Sequence, residues 1–216
     1  LINTYIQADA AAGLGQLGDL SLTELIIETG IHDAIARKLN EKGKLSRNAI
    51  AEGIINNVRK TIIREQLTDP RFYEQMSLLL DDLIQQDRAD AAAYEEFLRK
   101  AEALVKRLAA KHPEAGIPAA LHGKHEASVI YNNLPRIVAA AAAPAAVAEP
   151  DPTADEKRLK LALEIDRTMR EQAPAGWKGD QAREAQVLNA LFPLLDRNRE
   201  ATLALFDLVK HQPGYG

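Results

Sequence analysis

The sequence predicts an all-α protein: an antiparallel helical bundle, a Pro/Ala-rich linker, and a C-terminal helical tail docked on the bundle. Three observations carry this expectation. Ala, Leu, Glu, Arg, Lys and Gln dominate the 216 residues, and these are the strong helix formers. Aromatics make up only 5% and runs of β-branched residues are few and short, which argues against a sheet. Apolar residues recur three and four positions apart along most of the chain, the period of an amphipathic helix. With short turns between them, neighbouring helices pack antiparallel.

Each element has its own signal. Residues 8 to 19 are small and Gly-rich and read as a loop. Ser21 caps the helix that follows, with Glu24 as its capping-box partner and Leu20 with Leu25 as a hydrophobic staple. Gly30 ends that helix. A second short helix runs through Ala34 and Leu39 until Gly43 breaks it. The next, about Arg47 to Leu67, has Ile54, Val58 and Ile62 on one face. In Thr68-Asp69-Pro70 a stop meets a start: Asp69 suits a cap and Pro70 the first helical position. Tyr73, Met76, Leu80, Leu83 and Ile84 continue as a buried stripe. Asp90 caps a helix carried by Tyr94, Leu98, Ala101, Val105 and Leu108, which ends at His112-Pro113.

Beyond that point the pattern blurs. Residues Leu121 to Val138 fit a helix, and the Ala/Pro tract with Glu149-Pro150-Asp151-Pro152 reads as a linker or an insertion. Thr153 with Glu156 opens a helix containing Leu159, Leu163 and Met169, which Pro174 and Gly176 end. Asp180 caps another bearing Val187, Leu188, Leu191 and Leu195, and a last helix bears Leu205, Leu208 and Val209. The expected domains are a main bundle over 1–138, a linker over 139–152, and C-terminal helices over 153–216.

Composition excludes several functions. Hydrophobic residues are 46% and charged residues 27%, ordinary for a globular chain with a core. There is no cysteine, which removes disulfides, thiolate catalysis and the commonest structural zinc ligands, and is compatible with a cytoplasmic location. No uncharged apolar run approaches the roughly 20 residues of a membrane helix. The net charge of −4 makes the whole chain no magnet for nucleic acid. That charge is uneven: eight basic against three acidic residues from Arg37 to Glu65, and seven acidic against one basic from Glu74 to Glu96. The chain opens at Leu1 and passes directly into the apolar-patterned Ile2 to Ile6, which reads as a cut inside a longer polypeptide.

The catalytic motifs fail one by one. Gly13-Leu14-Gly15-Gln16-Leu17-Gly18 matches G-x-G-x-x-G in form, but no strand precedes it and the helix starts later, at Ser21. Gly123-Lys124 lacks the earlier glycine and following hydroxyl of a phosphate loop, having Pro118 and His125 there. His122 and His125, with Glu126 beside them, suit two metal ligands on one helix face without an evident third. Asp81-Asp82 and Glu95-Glu96 are neighbours on a helix, point about 100° apart, and read as solvated faces. No independent active site emerges, and no metal or cofactor is expected in this chain.

Two features suit recognition. Asn57, Lys60 and Arg64 share the face roughly opposite Ile54, Val58 and Ile62, with Arg59 beside the buried stripe. That face suits phosphate oxygens or an acidic partner surface, or else pairs with nearby acids such as Glu65 or Asp69. Trp177, the sole tryptophan, sits in Gly176-Trp177-Lys178-Gly179. It serves either as the anchor of the tail or as an interface hot spot.

The string Ile54-Ile55-Asn56-Asn57-Val58-Arg59-Lys60-Thr61-Ile62 resembles the N-N-V-R-x-x-I helix in the C-terminal region of type I restriction enzyme R subunits. Asp69 to Leu79 and Tyr94 to Leu98 are similar to the next two blocks of that family, and Ser21 to Ile26 to its opening. Gly176 to Gly179, Leu208 to Gln212 and Tyr215 are similar to its closing pattern. The resemblance covers 1–112 and 153–216; residues 113–152 depart from it, and Pro193 inside a tail helix is unexpected. It implies a parent chain with a nuclease domain and two RecA-like motor domains upstream, where ATP and Mg act. It further implies methyltransferase and specificity subunits as partners, and an assembled enzyme that translocates and cleaves DNA. This chain is then expected to be the non-catalytic helical part that joins motor-nuclease subunit to methyltransferase core. The alternative is a module contacting the DNA backbone through Arg59, Lys60 and Arg64.

Overall fold

The computed structural model describes residues 21–39, 45–86, 88, 90–111, 117–141 and 153–216. Among them are nine α-helices and no strand, so the all-α expectation holds. The Gly-rich loop of residues 8–19, Leu20 of the staple, Gly43, His112-Pro113 and positions 142–152 of the expected linker lie outside the described residues.

Helix α1 (Leu22–Thr29) begins as its sequence dictates. The Ser21 hydroxyl accepts from the Glu24 amide at 3.2 Å, and the Glu24 carboxylate accepts from the Ser21 amide at 2.6 Å. This satisfies two donors that the first turn leaves orphaned. Gly30 closes the helix at φ 82°, a left-handed conformation that a side chain disfavours. Ser21→Ala is expected to cost about 1 kcal/mol, read from the urea midpoint. An unchanged midpoint would mean that the cap contributes nothing to the cooperative transition.

The chain continues through α2 (Ile31–Ala34), a π-type segment Ile35–Leu39, α3 (Arg47–Glu65), α4 (Pro70–Ile84) and α5 (Ala91–Ala110). Pro70 takes the first position of α4, where its missing N–H breaks no helical bond. Asp90 caps α5, accepting from the Ala93 amide at 2.8 Å. The later helices are α6 (His125–Ala141), α7 (Ala154–Gln172), α8 (Gln181–Leu191) and α9 (Arg199–Lys210). Asp180 and Asn198 cap α8 and α9 with their side chains, whereas Thr153 before α7 makes no such side-chain bond. Pro193 does not interrupt an α-helix. It stands near the start of a 3-10 segment, Phe192–Leu195, where α8 has already ended.

The contacts divide the chain into two compact units, one of residues 1–65 and 72–113, the other of 66–71 and 114–216. In the first, the apolar faces of α1, α3, α4 and α5 share one core, with Ile26, Ile54, Phe72, Met76 and Phe97 almost wholly buried. In the second, α6 packs against α7 and α9, and α8 against both of those. The core there joins Ile130 and Leu134 of α6 to Ile165, Leu191, Leu205 and Trp177.

The division differs from the expected break at residue 138. Helix α6 runs to Ala141, through the first part of the expected linker, because alanine prolongs a helix at little cost. It accommodates Pro135 internally, which removes one helical hydrogen bond. And α6 shares its core with the C-terminal helices, so the tail's docking partner is α6 itself. No helix among the described residues is long and apolar enough to cross a membrane.

Candidate partner interface

Helix α3 builds the candidate recognition surface in three steps. Ile54, Val58 and Ile62 lie on its buried side, each at most 4% exposed, which fixes the helix against its unit. Glu52, Asn56, Arg59, Lys60, Ile63 and Arg64 are exposed and follow one another at helical spacing on the other side. Arg59 and Lys60 form no ion pair with any described residue. Ile63, at 59% exposed, stands among these cations.

Two of the expected residues take other roles. Asn57 is half-buried, and its amide donates to the Gly53 carbonyl of the same helix at 2.8 Å. It is therefore partly withdrawn from the face assigned to it. Arg64 is exposed but donates to Glu65 at 2.9 Å, the nearby acid that the sequence offered. Asp69, the other acid considered, turns to asparagines of α6 instead.

Glu65 is the hub at the end of α3. It accepts from the Tyr73 hydroxyl at 2.8 Å and pairs with Lys111 at 3.1 Å as well as with Arg64. Burial pushes its carboxyl up, but the bonds from Arg64, Tyr73 and Lys111 outweigh that and hold it below the ordinary glutamate value. A folded-state value below the unfolded one stabilises the fold above the unfolded value of about 4.3. That contribution is lost as pH falls through the lowered folded value. Glu65→Gln is expected to flatten the acid limb of the stability profile. An acid limb as steep as wild type would remove Glu65 as its source.

Trp177 is not available to a partner. It is 1% exposed, which corrects its assignment to an interface and supports the anchor reading. Its indole N–H donates to the Tyr215 carbonyl at 2.8 Å, and its ring lies 5.6 Å from that of Phe206. Lys178 next to it donates to the Gln212 carbonyl at 2.6 Å, and Gln212 donates to the Thr68 carbonyl at 2.7 Å. Tyr215 in turn donates to the buried Asp166 at 2.6 Å. Burial first, and Asp166 second, push the phenol far above its ordinary value, so it stays protonated and remains a donor. Arg170 completes the group, donating to Asp166 at 3.1 Å and to Glu126 at 3.0 Å.

A second buried network holds residues 66–71 in the same unit. Asn133 donates to Asp69 at 2.7 Å and to the Val129 carbonyl at 2.9 Å. Its own carbonyl accepts from the Arg71 amide at 3.1 Å, so a side chain of α6 serves the first turn of α4. Asn132 also donates to Asp69, and its backbone carbonyl accepts from the Arg71 guanidinium at 2.9 Å.

The remaining motifs have ordinary places. Glu96 pairs with Arg99 and Lys100, Glu95 with His32, and Asp81 and Asp82 are exposed. Glu126, the acid beside His122 and His125, is engaged by Arg170. No group of three or more His, Cys, Asp or Glu suited to a metal occurs among the described residues. The G-x-G-x-x-G string lies outside them. Sequence reasoning missed Ile63, although its position beside Lys60 on the helical projection was available. It also missed Asp166, whose signal is an acid inside the apolar stripe of Ala162, Ile165 and Met169.

Compared with protein-family models, with curated proteins and with solved structures, the chain matches none.

Proposed function

We propose that this chain is a non-catalytic helical assembly module of a type I restriction enzyme R subunit. It would hold a motor-nuclease subunit on the methyltransferase and specificity core, in a cytoplasmic enzyme that uses ATP and Mg elsewhere in its parent chain. One observation carries the reading beyond the strings themselves. Two of the blocks that resemble the family, far apart in sequence, complete each other: Trp177 bonds to Tyr215, and Lys178 to Gln212. A motif whose members depend on one another physically is a better family marker than scattered letters. The exposed, net positive side of α3 supplies a surface suited to a partner.

A module of this kind lacks a motor yet competes for the motor's seat. An excess of the folded chain is expected to inhibit DNA cleavage by the cognate restriction complex while leaving methylation unchanged. Unaltered cleavage at saturating chain would count against the reading.

Arg59 and Lys60, without an ion-pair partner among the described residues, favour a second reading, contact with the DNA backbone. Such binding weakens steeply with salt, and a duplex that is not retarded at about 50 mM salt rejects it.

A further inference from the structure

We infer that the exposed side of α3 docks an acidic amphipathic helix of a protein partner, with an apolar side chain of that helix seated on Ile63. The inference names the surface and partner chemistry of the module proposed above, and rests on that reading for the partner's identity alone. Glu52, Asn56, Arg59, Lys60, Ile63 and Arg64 form one continuous strip, about 18 Å long at 1.5 Å per residue. A straight strip with this spacing matches the side of a second helix, where ridges settle into grooves.

Charge selects the sign. Arg64 and Lys111 share Glu65, so their charge is partly neutralised within the unit. Arg59 and Lys60 have no such partner among the described residues. Glu52 stands at one end of the strip against Arg59, Lys60 and Arg64, so the strip is net positive on a chain whose total is −4, and carboxylates are its complement.

Ile63 selects the class of macromolecule. Phosphates are held by cations, hydroxyls and amides, and an exposed isoleucine between two cations contributes nothing to them. A protein interface has the opposite anatomy, an apolar centre with a charged rim. Ile63 supplies the centre, and Arg59, Lys60 and Arg64 supply the rim. The buried Ile54, Val58 and Ile62 hold the strip in place before any partner arrives, so little ordering is needed on docking.

The test uses the full chain and a fluorescein-labelled helical peptide of about 20 residues made of Glu, Ala and Leu, with Leu at helical spacing. Anisotropy reads its binding. The same peptide with Lys for Glu, and a labelled DNA duplex, serve as comparators. Arg59→Glu with Lys60→Glu is expected to weaken peptide binding by about tenfold or more, and Ile63→Ser by about threefold or more. Circular dichroism should stay at the wild-type value, because all three positions are exposed. The Lys peptide should not bind.

Binding of the Glu peptide that neither variant weakens would overturn the inference. So would duplex binding that depends on Arg59 and Lys60 but not on Ile63. The two proposals also separate. Modification subunits that bind the Arg59→Glu, Lys60→Glu chain as well as wild type would sink this docking face and leave the module reading standing. Modification subunits that fail to bind a chain whose α3 does bind the Glu peptide would support the face and sink the module reading.

Discussion

Trp177→Ala is expected to cost about 3–5 kcal/mol, a large loss for a single side chain of the second unit. The substitution removes a buried indole from among core residues of that unit and leaves the Tyr215 carbonyl without its donor. Urea denaturation followed by circular dichroism measures the loss. Trp177→Phe divides the loss. It keeps an aromatic ring in the core but loses the N–H together with part of the indole, for which about 1–3 kcal/mol is expected. Equal costs for the two variants would show that packing of the retained ring is unimportant. A cost under about 1 kcal/mol for the alanine would show that the closing segment is not anchored by this residue at all.

Asn133→Ala is expected to cost about 2–4 kcal/mol. The side chain makes three bonds at a site only 3% exposed: to Asp69, to the Val129 carbonyl and from the Arg71 amide. Deleting it withdraws a donor from a buried carboxylate and an acceptor from the first turn of α4. Neither is restored by water in a closed site. Asn132→Ala is the control. Its amide reaches the same carboxylate at 3.1 and 3.3 Å, but the residue is half-buried, and about 1 kcal/mol is expected. A double-mutant cycle with Asp69→Asn would show coupling for Asn133 and little for Asn132. Equal penalties for the two asparagines would contradict the picture of a closed network.

These predictions rest on residues that the sequence made legible to different degrees. Local signals were read correctly because they act over three or four residues. The Ser21-Glu24 capping box, Gly30, Asp90 and Asp180 behave as their spacing predicts. So do the stripes of α3, α4 and α5, whose apolar period determines which side turns inward. Tertiary partners were not legible. Nothing in the string Tyr-Asn-Asn-Leu says that Asn133 will meet Asp69, more than sixty residues earlier. Nor does the run of alanines after Val138 show that α6 extends to Ala141 and shares its core with the C-terminal helices.

The candidate recognition surface was half legible. Lys60 and Arg64 were found by helical angle and are exposed; Arg59, placed beside the buried stripe, is exposed as well and joins them on the strip. Asn57 was placed with them because it shares their angle within a turn, yet it lies at the edge of the strip and binds Gly53. Ile63 was overlooked because an isoleucine is expected inside; only its exposure reveals that it is left over from the core. Trp177 was open to both readings, since buried anchors and interface hot spots favour the same residue type. Its bond to Tyr215 and its burial decide for the anchor.

Size-exclusion chromatography with light scattering, on this chain mixed with the methyltransferase and specificity subunits at low salt, tests the assembly claim most directly. The account predicts a single peak whose mass is the sum of the components. Two separate peaks, from a chain shown to be helical and folded in the same buffer, would contradict it.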